Sequence, residues 1–179
     1  GLIARLREAL RWQDAAASAG GRSQGAALPP RRWHDVVVDV GDDAACVAWG
    51  GPDVSDGDLL LATADMLVER VHFDLRFTSA YRLGRKALAV NLSDIAAMGG
   101  RPGYALISLG LTGDEPLGFI DDLYRGILDL GTCFGVKVVG GDIVRSPCGL
   151  AVSVAVFGKG PRPGEVKTRR GARPGDAIL

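Results

Sequence analysis

Residues 150–158 read LAVSVAVFG, apolar side chains alternating with small or polar ones in the manner of a long strand. Successive side chains of a strand point to opposite faces, so Leu150, Val152, Val154 and Val156 share one. Such a strand needs neighbours and a cover. Further strands are expected at 35–39 (DVVVD), 44–49, 58–64 and 104–111, and from 136 onward (VKVVG). PDVSDGD at 52–58 is turn chemistry. Two helices fall between the strands. Ser79 can cap a long one running through Met98 and ended by the Gly99–Gly100 pair. Asp114 and Pro116 supply a cap and first turn for the other. Its buried stripe is Ile120, Leu123, Ile127 and Leu130.

Strands interleaved with two substantial helices predict an α/β chain of the α+β type, a mixed sheet with helices packed on one face. The bare face, including alternate residues of 150–156, would then be covered by a second copy. Outside this unit, Leu2, Ile3, Leu6, Ala9 and Leu10 suggest a short amphipathic helix. Residues 13–32 are small, aperiodic and stopped by two prolines, so 1–33 reads as a helix plus a flexible insertion. The tail, 161–179, reads as a linker and the start of a further domain.

Composition excludes some functions. Lys plus Arg and Asp plus Glu number 21 each, so no basic field draws the chain to nucleic acid. No apolar run approaches the roughly 20 residues that span a bilayer, and GLIARLREAL lacks a signal peptide's continuous apolar core. The cytoplasm is the expected compartment, with no membrane partner. Cys46, Cys133 and Cys148 form no CxxC pair and are expected to be buried free thiols. The 26 glycines are about twice the usual ~7%.

Several of these glycines adjoin aspartates. Asp42 and Asp43 lie in VGDDAA, Asp65 in ATADML, Asp94 in NLSDIAAMGG and Asp142 in GGDIVRS, mostly at expected turns or strand ends. A single aspartate in a turn is more often a cap than a ligand. Asp94 differs, because it lies in an apolar helix with Asn91 three positions before it on the same face. A polar pair there needs a partner, from Arg85, a backbone donor or an ion. Magnesium favours a few carboxylates on rigid elements, with substrate phosphates completing its shell. Neither GxxxxGK[ST] nor a kinase-type GxGxxG loop is present. ATP would have to be held through metals, glycine amides and arginines.

The strings GDDAA, DMLVERVHF, KALAVNLSDIAAMG, GGDIVRS and TRRGARPGD, in this order and spacing, make the chain resemble the thiamine-monophosphate kinases. These belong to the aminoimidazole ribonucleotide synthetase and selenophosphate synthetase superfamily. The resemblance covers about residues 1–10 and 34–179. It implies phosphorylation of thiamine monophosphate by ATP, and makes 34–160 an ATP- and magnesium-binding N-terminal domain. It implies magnesium at Asp43, Thr63, Ala64, Asp65, Asp94 and Asp142, and substrate at His72. ATP contacts would come from Tyr124, Gly141, Asp142 and Arg169. The family pairs its sheets in a homodimer. Asp43, Asp65, Asp94 and Asp142 are thus expected to converge on one cleft. Ala64 stands where the family usually has Thr, Arg70 where it has Gly, and Ile143 and Val144 where threonines are common. The competing readings are another ATP-dependent enzyme of the superfamily and a non-catalytic dimerisation or nucleotide-binding module.

Overall fold

The computed structural model describes residues 36–38, 41–48 and 59–177. The expected helix at 2–10, the insertion at 13–32 and the turn at 52–58 lie outside them. Six strands form one sheet: β1 (Val36–Val38), β2 (Ala45–Ala48), β3 (Leu59–Val68), β4 (Arg101–Leu111), β5 (Lys137–Arg145) and β6 (Ala151–Lys159). Helix α1 (Ala80–Ala97) joins β3 to β4, and α2 (Leu117–Phe134) joins β4 to β5. The order across the sheet is β1-β2-β3-β6-β4-β5. Only β4 and β5 are parallel. A parallel pair needs a long crossover, which α2 provides.

α1 follows from its sequence. Ser79 caps it by accepting a hydrogen bond from the Arg82 amide, and Gly99 leaves it with φ 78°. Ala80, Leu83, Gly84, Ala87, Leu88, Asn91, Leu92 and Ile95 repeat at helical spacing and are buried. This stripe packs on β3 and β6. α2 packs on α1 and reaches β5, with Leu123, Ile127 and Leu130 buried and Ile120 half-buried. A glycine on each helix sets how closely they approach. A Cβ on Gly84 would stand 2.0 Å from the Leu123 carbonyl oxygen, and one on Gly126 2.0 Å from that of Tyr81.

Several expectations need correction. Pro116 occupies the N-cap of α2 without a side-chain bond, so Asp114 is not its cap. Instead, Glu115 folds back to accept from the amides of Thr112 and Gly113, each at 3.0 Å. β3 continues to Val68 and β5 to Arg145, which places Asp65 and Asp142 inside strands rather than at their ends. Cys46 is buried, and burial pushes its thiol pKa up, but Cys133 and Cys148 are exposed. Leu150, Val152, Val154 and Val156 lie beneath the helices, fully buried within this one chain. The open face carries the other set, Ala151, Ser153, Ala155 and Phe157, beside Met66, Tyr104 and Leu106.

Candidate active site

The site is built on the helix-facing side of β3. Leu59, Leu61 and Leu67 are buried there, so the same alternation turns Thr63 and Asp65 toward α1. Two polar contacts cross that seam. Thr63 Oγ1 donates to Asp94 Oδ2 at 2.8 Å, and the Asp65 amide donates to Asn91 Oδ1 at 3.1 Å. The second has a topological cause. Among the described residues, β2 pairs with β3 only as far as Ala62, and beyond that point β3 has no strand neighbour on the β2 side. The Asp65 amide would lack a partner there, and Asn91 supplies one. Asn91 is fully buried, and its amide group also donates to the Ala87 carbonyl at 3.1 Å. Arg85, an expected partner for this pair, instead stacks over Tyr81 at 5.9 Å.

The turn before β2 brings in Asp42 and Asp43. Burial raises the pKa of Asp94 most. The Thr63 hydrogen bond opposes this, the charges of Asp65 and Asp43 add to it, and Arg169 counteracts it. Asp43, Asp65 and Asp94 therefore share one electrostatic neighbourhood, drawn from a turn, a strand and a helix. Arg169 closes it. Its Nη2 and Nε donate to Asp43 Oδ1 at 2.5 and 3.1 Å, and its backbone amide donates to Asp42 Oδ1 at 2.5 Å. Bonding to Asp43 raises the guanidinium pKa further.

The donors are hard oxygens, the kind magnesium takes, and a guanidinium lies against them as a cation does. Among the described residues, no three Asp, Glu, His or Cys side chains form a ready-made metal cage. A divalent ion here would rely on one or two carboxylates, with phosphate and water oxygens for the rest. Ala64 is exposed and faces away from this side, so only its backbone carbonyl is available to an ion.

The remaining candidates lie elsewhere. Asp142 does not join the other three aspartates. It is exposed on the edge strand β5, paired with Ser108 of the open face and separated from β3 by β6 and β4. Three strand spacings amount to roughly 14 Å. A Cβ on Gly141 would stand 1.7 Å from the Ile107 carbonyl oxygen, so the β4–β5 contact alone requires glycine there. Tyr124 is half-buried on α2 against the core, and burial raises its pKa. His72 is exposed beyond the end of β3. Its Nδ1 accepts from the Val68 amide at 3.1 Å, and its carbonyl accepts from Lys86 Nζ at 2.5 Å. With Nδ1 an acceptor, Nε2 carries the proton of the neutral ring and can donate outward.

Asp42, one of the five aspartates singled out in the sequence but given no ligand role, anchors the Arg169 backbone. One structural contributor was not evident beforehand. Glu69 accepts from the Leu150 amide at 3.0 Å, a contact 81 positions apart that local sequence does not mark.

Residues 41–159 match the family described as AIR synthase related protein, N-terminal domain. Among curated relatives, the thiamine-monophosphate kinase of Rhodopirellula baltica is 36% identical over 151 residues, 83% of this chain and 47% of that one. The thiamine-monophosphate kinase of Bacillus subtilis is 37% identical over 154 residues, 85% of this chain and 46% of that one. The chain thus spans just under half the length of these relatives. A solved structure, AaThiL complexed with AMPPCP and TMP, is 37% identical with a TM-score of 0.65, covering 75% of this chain and 40% of that one. With the family model matched across β2 to β6 and both helices, this chain belongs to the AIR synthase related proteins and carries their N-terminal domain.

Proposed function

We propose that this chain supplies the nucleotide- and cation-binding part of a kinase that phosphorylates thiamine monophosphate to thiamine diphosphate. An oxygen of the acceptor phosphate would bond to the γ-phosphorus of ATP as the β–γ bridging bond breaks and ADP leaves. Similarity to kinases of that name supports the reading, as does the solved relative holding AMPPCP and TMP. The observation that carries it is the gathering of Asp43, Asp65 and Asp94 with Arg169 beside Thr63. A phosphate acceptor has a second pKa near 6 and is largely ionised at pH 7. It needs no general base. The difficulty is holding two anions together, so positioning and charge do most of the work.

Magnesium, when bound, would neutralise phosphate oxygens. Asp43, Asp65 and Asp94 would hold it, with Thr63 and the Ala64 carbonyl beside them. Tyr124, Gly141, Asp142 and Arg169 would meet the nucleotide, and the outward Nε2–H of His72 the substrate. The cytoplasm, where ATP is at hand, is the compartment this reading expects. Among the described residues, no helix is long and apolar enough to cross a membrane. The open face of the sheet, with Met66 57%, Tyr104 57% and Leu106 37% exposed, would be covered by a second copy. Sedimentation at micromolar concentration is expected to give a dimer.

The test is calorimetric titration with AMPPCP and magnesium, beside an assay for thiamine diphosphate. The chain is expected to bind AMPPCP weakly, only with magnesium, and to make no thiamine diphosphate by itself. A folded chain that binds no AMPPCP at millimolar magnesium would refute the reading.

A further inference from the structure

Residues 161–177 follow β6 as a strap without helix or strand. Most of it is exposed, and its fixed points are few. Val166 packs against the core, and the Lys167 amide donates to the Met98 carbonyl at 3.3 Å, the long end of the range. The strongest attachment is Arg169, which donates from backbone and guanidinium to the Asp42–Asp43 turn, 126 to 127 positions away. Gly171 follows at φ 110°, and residues 167–177 are otherwise exposed. The strap is therefore pinned at the carboxylate cluster by one residue that offsets part of its charge.

That attachment is of a kind that can be exchanged. The Arg169 side chain is 63% exposed and the Asp43 side chain 28%, so solvent reaches the pair and screens it. A divalent ion brings twice the charge and bonds carboxylate oxygens directly. The guanidinium and the ion both need Asp43, and the guanidinium already donates twice to Asp43 Oδ1.

We propose that Arg169 is a tethered cation that competes with a divalent ion for Asp43, so that loading of the carboxylate cluster frees the strap. This rests on the cation-binding reading above and deepens it. The cluster's charge stays partly neutralised before the ion arrives. On release, the forked guanidinium stands beside the newly placed ion, free to take phosphate oxygens in pairs. Ion binding would thereby prepare the nucleotide contact, and Arg169 would serve two partners in sequence.

The test uses the full chain without nucleotide. Manganese is titrated by following free Mn2+ in electron paramagnetic resonance, for the unaltered chain, Arg169→Met and Arg170→Met. Backbone amide exchange across residues 166–171 is followed with and without Mn2+. Loss of an exposed ion-pair competitor should make Mn2+ bind about 2- to 5-fold tighter in Arg169→Met. Arg170→Met should change little, since Arg170 makes no hydrogen bond to the cluster. Mn2+ should speed exchange at the Arg169 amide in the unaltered chain. Equal or weaker Mn2+ affinity in Arg169→Met overturns the competition while leaving the cation site standing. Equal tightening by both variants also overturns it, since general charge would then be the cause. If none of the three proteins binds Mn2+, the competition and the cation reading fail together.

Discussion

Thr63 Oγ1 donates to Asp94 Oδ2 at 2.8 Å, joining the centre of β3 to the last turn of α1. The bond holds a carboxylate that its surroundings otherwise disfavour. Burial raises the Asp94 pKa above the ordinary 3.8, and the charges of Asp65 and Asp43 push it the same way. A carboxyl whose pKa is raised by folding favours the folded state when protonated. Its ionisation costs stability increasingly as pH climbs from 3.8 through the raised value, and nothing well below 3.8. Asp94→Asn retains an acceptor for Thr63 and removes the charge. The variant should be the more stable at pH 7, and the gain should vanish near pH 3. Thermal melts at both pH values decide it, and equal midpoints at pH 7 would contradict it.

Asn91 presents the opposite case, a buried polar group that is fully satisfied. It accepts from the Asp65 amide and donates to the Ala87 carbonyl. Asn91→Leu would leave the Asp65 amide without its partner past the end of β2. The expected loss is about 1–3 kcal/mol, the cost of a stranded buried donor. Urea denaturation measures it. A variant as stable as the parent would mean that water reaches this amide.

Arg70 sits at φ 63°, the only described non-glycine residue with positive φ. A side chain in the left-handed region costs roughly 1–2 kcal/mol. Glycine would remove that cost but add freedom to the unfolded chain, an offset of about 0.4–1 kcal/mol. Arg70→Gly should therefore stabilise the domain by about 0.5–1 kcal/mol net. A loss of stability in chemical denaturation would show that the arginine side chain makes a compensating contact.

Local chemistry made much of this fold readable. The Ser79 cap, the Gly99–Gly100 stop and the 150–156 alternation each depend on residues within a few positions, and each marked its element correctly. What the alternation could not reveal was which face the helices cover. Both faces of β6 are apolar enough, and only strand order and crossovers decide that Leu150, Val152, Val154 and Val156 lie beneath α1. The polarity of Asn91 and Asp94 was visible in an apolar helix, but their partners Thr63 and Asp65 were fixed by how α1 lies on β3. Likewise, the glycine that the family resemblance implies at position 70 became intelligible only through a backbone angle. The separation of Asp142 from the other carboxylates follows from the strand order, which chain order does not give.

That separation yields a last prediction. If the ion sits at Asp43, Asp65 and Asp94 while Asp142 serves the nucleotide from β5, the two functions should come apart on mutation. Asp142 is exposed, and among the described residues its side chain makes one hydrogen bond, accepting from the Ile143 amide at 2.9 Å. Asp142→Asn should change stability by no more than about 0.5 kcal/mol. It should leave Mn2+ affinity without nucleotide within about twofold. It should weaken magnesium-dependent AMPPCP binding roughly 10- to 100-fold, the scale of one lost charge-assisted contact. Asp43→Asn should differ by lowering both affinities, since the ion it holds is also needed by the phosphates. Paired titrations of the two variants measure this. Should Asp142→Asn weaken Mn2+ binding as much as Asp43→Asn does, the division of labour between the two sites would be overturned.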